Sequence, residues 1–229
     1  MMLKNEVKKM GIFQLELQDV SFSYDNSKLI LHEINMVIES QDFVLITGQN
    51  GAGKSTLLRL ISGILKPKSG TVKINGRSIY RQKDYFKMIG FVMQYAEDSF
   101  CCDTVFDEIA FASRNFGLDR IEERVQNAAR IMGIDQEAFS KSPYDLSNGE
   151  MRRLAIASVI AHDPFLLVLD EPFVGLDKAG KQFLRKVLEN WKKNNRATVV
   201  VSHQLKYLTD LANKIFNLQS GRLSKVDSV

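Results

Sequence analysis

Apolar residues along the chain follow three patterns, and the order of those patterns predicts an architecture. In "FQLELQDVSFSY", Phe13, Leu15 and Leu17, and then Val20 and Phe22, alternate with polar neighbours at the two-residue period of half-buried strands. A second alternating segment, "LILHEINMVIE", follows the turn "DNSK". "DFVLITG", "FLLVLDEP" and "ATVVVSH" are instead short continuous apolar runs, the pattern of parallel strands buried on both faces. Between them lie stripes at helical spacing. Leu57, Leu60, Ile61 and Ile64 predict a helix over Lys54–Leu65, halted by Pro67. Ile121, Val125, Ala128 and Met132 make another stripe, Leu154, Ile156 and Ile160 a third, and Phe183, Val187 and Trp191 a fourth. Strands alternating with helices imply an α/β fold: a mostly parallel sheet flanked by helices, with a small antiparallel sheet from the N-terminal strands. From about Ala96 to Asp163 the pattern is helical with no buried strand, which predicts a helical subdomain inserted into one domain spanning 1–229.

Composition changes this picture little. The 229 residues are 45% apolar, enough for an ordinary core, and 31 Lys+Arg stand against 27 Asp+Glu. The basic residues are scattered among acids and amides, as in "KNEVKK" and "ENWKKNNR", so no nucleic-acid partner is expected. Cys101 and Cys102 are adjacent and without partners elsewhere, so no disulfide framework or zinc-type spacing can be written, and a reducing compartment is favoured. The start "MMLKNEVKKMGIF" lacks a signal-peptide pattern, and no stretch approaches the roughly 20 apolar residues of a membrane helix, so contact with a membrane is expected through a partner.

Chemistry enters at "GQNGAGKST", Gly48 to Thr56, which matches G-x-x-x-x-G-K-[ST] with a strand before it and a helix after it. Gly51 and Gly53 let the backbone approach a phosphate, Asn50 and Thr56 belong to the same loop, and Lys54 places a positive charge at the β- and γ-phosphates. The Ser55 hydroxyl is positioned for Mg²⁺. Asp170, ending "FLLVLD", is suited to holding the metal through water, and Glu171 to polarising a water for in-line attack. These parts alone leave a nucleotide hydrolase or a kinase open.

A second helix start narrows the choice. In "DLSNGEMRRLAIA", Ser147 stands at an N-cap position, and Asn148 and Gly149 tolerate a positive φ. Exposed N–H groups and a helix dipole there make an anion site, although an isolated "LSNG" is equally an ordinary capped helix. Here it lies 23 residues before Asp170 and is followed by "LLVLDEPFVGLD" and "VVVSH".

In this order and spacing the chain resembles the ATP-binding-cassette ATPases, a P-loop NTPase family, over nearly its whole length. The resemblance implies ATP hydrolysis with Mg²⁺ in a head-to-tail dimer. The signature helix of one subunit, here Ser147 and Gly149, completes the site holding ATP on the other. It further implies that Tyr24 in "SFSY" stacks on adenine, that Gln94 in "FVMQ" reaches Mg²⁺ and the attacking water, that His203 in "VVVSHQ" contacts the γ-phosphate, and that Asp177 in "GLD" lies in the loop crossing the dimer interface. The usual signature has Gly-Gly where this chain has Asn148-Gly149, and Gln where it has Glu150. Because Asn suits a left-handed turn, the geometry is expected to survive, with a site that could be slower than usual.

"GFVMQYAEDSFCCDTVFDEIAFASRNFGLDRIEERV" resembles the corresponding stretch of energy-coupling-factor transporter ATPases. That implies a peripheral subunit on the cytoplasmic face of the cell membrane, paired with itself or with a second ATPase. It would drive uptake of a vitamin or transition-metal ion through an integral membrane subunit whose helices dock beside the glutamine loop. Another transporter class, or a soluble non-transport ATPase of the same family, stays open. Between Tyr95 and Ser113 the acids Glu97, Asp98, Asp103, Asp107 and Glu108 occur without Lys or Arg, which suits an Arg-bearing partner helix and equally a helix N-terminus. The chain ends at "SGRLSKVDSV" without the C-terminal extension many such subunits carry, so pairing is expected to depend on ATP and the membrane partner.

Overall fold

A computed structural model describes residues 13–25, 28–82, 84–95 and 100–226. The run "KNEVKK", the boundary residue Ala96, and the acids Glu97 and Asp98 lie outside the described residues.

The N-terminal alternation becomes an antiparallel sheet. β1 (Gln14–Phe22) lies between β2 (Leu31–Glu39) and β4 (Ser69–Ile74), and β5 (Arg77–Ser78) extends the β4 edge. The break between Leu17 and Val20 has a physical cause: both pairings of β1 shift register there, and Asp19 takes a φ of 50°. This bulge returns Val20 and Phe22 to the buried face already occupied by Leu15 and Leu17.

The continuous apolar runs form the second sheet. Its order is β10 (Arg222–Val226), β9 (Lys214–Gln219), β3 (Phe43–Thr47), β8 (Ala197–Val201), β7 (Leu166–Asp170) and β6 (Ile89–Val92), parallel throughout except for the β9–β10 hairpin. Alternate residues feed two cores. Val44, Ile46, Leu166, Val168, Val199 and Val201 pack with the antiparallel sheet and α1 (Lys54–Ile61). Phe43, Leu45, Leu167, Leu169 and Val200 pack under α2 (Val105–Asn115), α3 (Ile121–Met132), α4 (Asn148–Ile160) and α5 (Lys178–Lys193). Burial on both faces is why these strands lack a polar alternation. α2, α3 and α4 lie between β6 and β7 in the chain and pack on one another, where the sequence predicts a helical insertion.

One expectation needs correction, and one element is new. α1 ends at Ile61 and breaks at Ser62-Gly63, so Ile64, expected on its apolar stripe, is 58% exposed. The hairpin β9–β10 has no counterpart in the sequence reading. It is nevertheless what positions the phosphate loop, because a Cβ on Gly48 would stand 2.2 Å from the Leu218 carbonyl oxygen of β9. Glycine at position 48 is thus required by strand packing.

Candidate functional site

The loop after β3 and the first turn of α1 form an anion cradle. Gly51 sits at φ 77° with open space where a side chain would project, and α1 begins at Gly53 with neither a side-chain cap nor an acid in its first turn. Its leading N–H groups therefore face outward without a competing carboxylate. The Lys54 ammonium is buried and turned back on the loop, donating to the carbonyl oxygens of Gly48 (2.8 Å) and Gln49 (2.9 Å). The lysine so holds the loop closed around the place its charge would serve.

Consecutive strand residues normally face opposite ways, yet Asp170 and Glu171 line one cavity. The reason is backbone: β7 ends at Asp170, and Glu171 adopts a φ of 47° while its N–H still reaches the Val201 carbonyl (2.9 Å). A non-glycine residue held there stores about 1–3 kcal/mol of strain, a pattern found at functional sites. Glu171 Oε2 accepts from the His203 N–H (3.2 Å), and Oε1 is buried without a hydrogen-bond partner. His203 Nε2 lies 3.1 Å from Asn50 Oδ1.

Asn50, Gly51, Gly53, Lys54, Ser55, Thr56, Gln94, Asp170, Glu171 and His203 thus surround a single cavity of about 610 Å³. The Gln94 side chain is lightly held, with Nε2 3.4 Å from the Tyr95 hydroxyl. Tyr24 stands apart from this lining and is half exposed; its hydroxyl meets Thr56 Oγ1 (3.1 Å) and accepts from Arg59 (3.2 Å), and its ring packs edge-on to Phe22.

Ser147, Gly149 and Asp177 fall elsewhere. They line a separate hollow of about 590 Å³ that shares no residue with the first cavity. Ser147 caps α4 in a reciprocal box with Glu150: the Glu150 N–H reaches Ser147 Oγ (3.4 Å), while Glu150 Oε2 accepts from the Ser147 N–H (2.9 Å) and hydroxyl (2.6 Å). The expected left-handed turn is absent. Asn148 is the first residue of α4, and neither it nor Gly149 has a positive φ. Asn148 is accommodated because it is exposed at a helix start. Gly149 meets only a Leu176 methyl at 3.9 Å, so neither conformation nor internal packing calls for glycine there. The Asp177 carboxylate is committed as the cap of α5, accepting from the Gly180 N–H (2.7 Å).

The chain thus carries these two groups of residues on separate surfaces. The ABC transporter family profile matches residues 31–174. The chain belongs to the ABC transporter family. The energy-coupling factor transporter ATP-binding protein EcfA2 of Caldanaerobacter subterraneus is 40% identical over 223 residues, covering 93% of this chain and 78% of the relative. EcfA2 of Thermotoga maritima is 40% identical over 199 residues, with 85% and 74% covered. Among solved structures, cbiO1 of Clostridium perfringens, part of the ABC transporter complex cbiONQ, superposes with a TM-score of 0.80 at 30% identity, covering 92% of this chain and 86% of that one. A dimeric bacterial ABC transporter cassette shares the fold, with a TM-score of 0.83 at 23% identity over 94% of this chain and all of that one.

Set in this family, two further features stand out. Of the acids expected to face a partner, Asp107 bonds Thr104 and Arg114, which hold its carboxyl below the usual range. Glu108 is buried and accepts from the N–H groups of Cys101 and Cys102 at 3.0 and 3.1 Å. Beside them the surface carries a groove of about 300 Å³ whose lining is mainly apolar, with Ile64, Phe86, Phe91, Phe111 and Phe116, and includes Glu108. The second feature is Arg152, absent from the sequence reading. It sits on α4, is 2% exposed, and donates through its two terminal nitrogens to the carbonyls of Met93 (3.1 Å) and Gln94. The signal lay in its spacing, because Arg152, Ile156 and Ile160 share one helix face and Ile156 and Ile160 are buried. No helix among the described residues is long and apolar enough to cross a membrane.

Proposed function

We propose that this chain is the ATP-binding and hydrolysing subunit of an energy-coupling-factor-type transporter, acting at the cytoplasmic face of the cell membrane to drive uptake of a vitamin or transition-metal ion. The observation that carries this reading is the division of the site. Lys54, Gln94, Asp170, Glu171 and His203 share one cavity, whereas Ser147 and Gly149 lie on another surface of the same chain. A facing copy, or a second ATPase, supplies what each cavity lacks.

In this account the N–H groups of the loop and of α1 bind the phosphates, and Lys54 exchanges its two carbonyl partners for the β- and γ-phosphate oxygens. Tyr24 stacks on adenine. Glu171 takes a proton from a water, the water oxygen bonds to the γ-phosphorus, and the bond to the β-phosphate oxygen breaks to leave ADP and phosphate. His203 and Asn50, beside Glu171, orient the γ-phosphate. Hard oxygen donors fit Mg²⁺: Ser55, Gln94 and the buried Asp170 would hold it, beside a Glu171 oxygen with no hydrogen-bond partner. Bound there, Mg²⁺ supplies neutralisation of charge on the β- and γ-phosphate oxygens.

The groove between Ile64 and Phe116, which Glu108 also lines, seats a cytoplasmic helix of the membrane subunit through mainly apolar contacts. The test is to measure phosphate release from ATP and to isolate the chain from detergent-solubilised membranes. The account expects release of free phosphate together with a hydrophobic partner. A chain recovered only in the soluble fraction, or a phosphorylated small-molecule acceptor in place of free phosphate, would contradict it.

A further inference from the structure

Glu108 is a buried carboxylate without a cationic partner. It is 7% exposed, and no Lys or Arg among the described residues forms an ion pair with it. A charge taken out of water is costly unless it is paired with an opposite charge or bound to a metal ion. The N–H groups of Cys101 and Cys102 meet its Oε2 at 3.0 and 3.1 Å, which directs the carboxylate but supplies no counter-ion.

What the carboxylate faces is a pair of thiols. Cys101 is exposed and Cys102 partly so, and their sulfurs stand 4.0 Å apart. Both lie with a Glu108 oxygen inside a span of 4.8 Å. The sulfur separation is about twice a disulfide bond. Two thiolates on one tetrahedral ion, at bond lengths of about 2.3 Å, stand about 3.8 Å apart, and a thiolate and a carboxylate oxygen about 3.5 Å. A small rotation of the exposed Cys101 side chain closes the remaining difference.

The backbone around the pair is held on both sides. The Tyr144 hydroxyl donates to the Phe100 carbonyl (3.0 Å), and Thr104 caps α2 by accepting from the Asp107 N–H (3.1 Å). Three donors are thus brought together before any ion binds, which lowers the ordering cost of binding. Burial first, and then the Glu108 charge, push the Cys102 thiol up to about 12. The negative surroundings that oppose a bare thiolate favour a cation, and a bound ion takes the place of the thiol proton.

We infer that Cys101, Cys102 and Glu108 form a binding site for one thiophilic divalent cation of the Zn²⁺ or Cd²⁺ class, separate from the nucleotide cavity. On binding, two S–H bonds break, two metal–sulfur bonds form, a Glu108 oxygen supplies the third bond, and two protons pass to solvent; water completes the tetrahedron. Glu108 is the one acid among the described residues lining the groove beside α2, so an occupied site cancels that charge and ties the start of α2 to the loop before it. No Cys-x-x-Cys spacing announces the site, because the thiols are adjacent and the third donor is a carboxylate further along the chain.

The test titrates Cd²⁺ into the full chain, kept reduced with a phosphine and held in excess Mg²⁺, which occupies oxygen-donor sites and leaves thiolates free. The inference expects a cadmium–thiolate charge-transfer band that saturates at one ion per chain, release of about two protons per ion, and displacement of Cd²⁺ by Zn²⁺. Cys101→Ser weakens binding by at least about tenfold, Glu108→Gln does the same with both thiols in place, and Cys101→Ser with Cys102→Ser removes the band. A chain that gives no such band, a band that survives the double substitution, one ion shared by two chains, or unchanged affinity in Glu108→Gln overturns the inference. Should Glu108→Gln fail to fold, the exposed Cys101→Ser decides the matter, and an affinity equal to that of the parent overturns it.

Discussion

His203 Nε2 lies 3.5 Å from Glu171 Oε1, the carboxylate oxygen that is buried without a hydrogen-bond partner. The same carboxylate is anchored through Oε2 to the His203 N–H, so one oxygen is fixed while the other makes no hydrogen bond. A base held in this way can take a proton without first breaking its own support. Glu171→Gln is therefore expected to bind ATP as the parent does while turnover drops by about 10²–10⁴-fold, the usual worth of a general base. Nucleotide affinity and phosphate release, measured side by side, check this; unchanged turnover would remove Glu171 from the role.

Lys54 ties the phosphate loop to itself. Its ammonium, on a buried side chain, bonds the carbonyls of Gly48 and Gln49. Hydrogen bonds to a charged group contribute about 1.5–3 kcal/mol, so Lys54→Ala should lower stability in the absence of ATP by roughly that amount, in addition to weakening nucleotide binding. Urea unfolding without ligand measures the first effect. A purely ligand-directed lysine would leave it at zero.

Glu150 gives α4 a pH dependence whose sign can be worked out. Its carboxyl is held below the usual range by the Ser147 hydroxyl first and the Ser147 N–H second. A depressed folded value means the contribution is complete above the unfolded pKa, about 4.3, and is lost as pH falls through the folded value. The melting temperature of Glu150→Gln should thus lie furthest below that of the parent near neutrality, with the gap closing below about pH 4. A gap that widens on acidification would contradict the assignment.

Thr198 presents a different kind of site. It is fully buried on β8, on the face turned toward the helices, and its hydroxyl has no hydrogen-bond partner. Replacing an unsatisfied buried hydroxyl with a methyl of the same shape removes a desolvation cost of about 1–3 kcal/mol. Thr198→Val should raise the melting temperature by about 2–4 °C for each kcal/mol and leave ATP turnover unchanged. Thermal unfolding followed with the activity assay decides it.

How much of this was legible in the sequence depends on where each feature's cause lies. The phosphate loop, the acidic end of β7 and the capped start of α4 depend on neighbouring residues, and their positions follow from local spacing. The apolar runs disclosed a sheet buried on both faces because no polar alternation interrupts them. Other features depend on partners distant in sequence. Gly48 is explained by Leu218 on a hairpin whose half-buried strands carry a weak pattern, and the inward turn of Glu108 by two backbone N–H groups. Asn148 misled because Asn-Gly suggests a left-handed turn, while the Ser147–Glu150 box starts the helix one residue earlier than that turn allows. Arg152 is absent from the sequence reading, although its four-residue spacing from Ile156 places it on the buried face.

Sedimentation of the Glu171→Gln chain with ATP and Mg²⁺, beside the same chain carrying Ser147→Asp, tests the divided site most directly. The account predicts an ATP-dependent dimer for the first, formed with itself or with an added second ATPase. It predicts separate chains with nucleotide still bound for the second, where the new carboxylate would face the partner's γ-phosphate. A dimer indifferent to the Ser147 substitution, or ATP bound with no association at all, would contradict it.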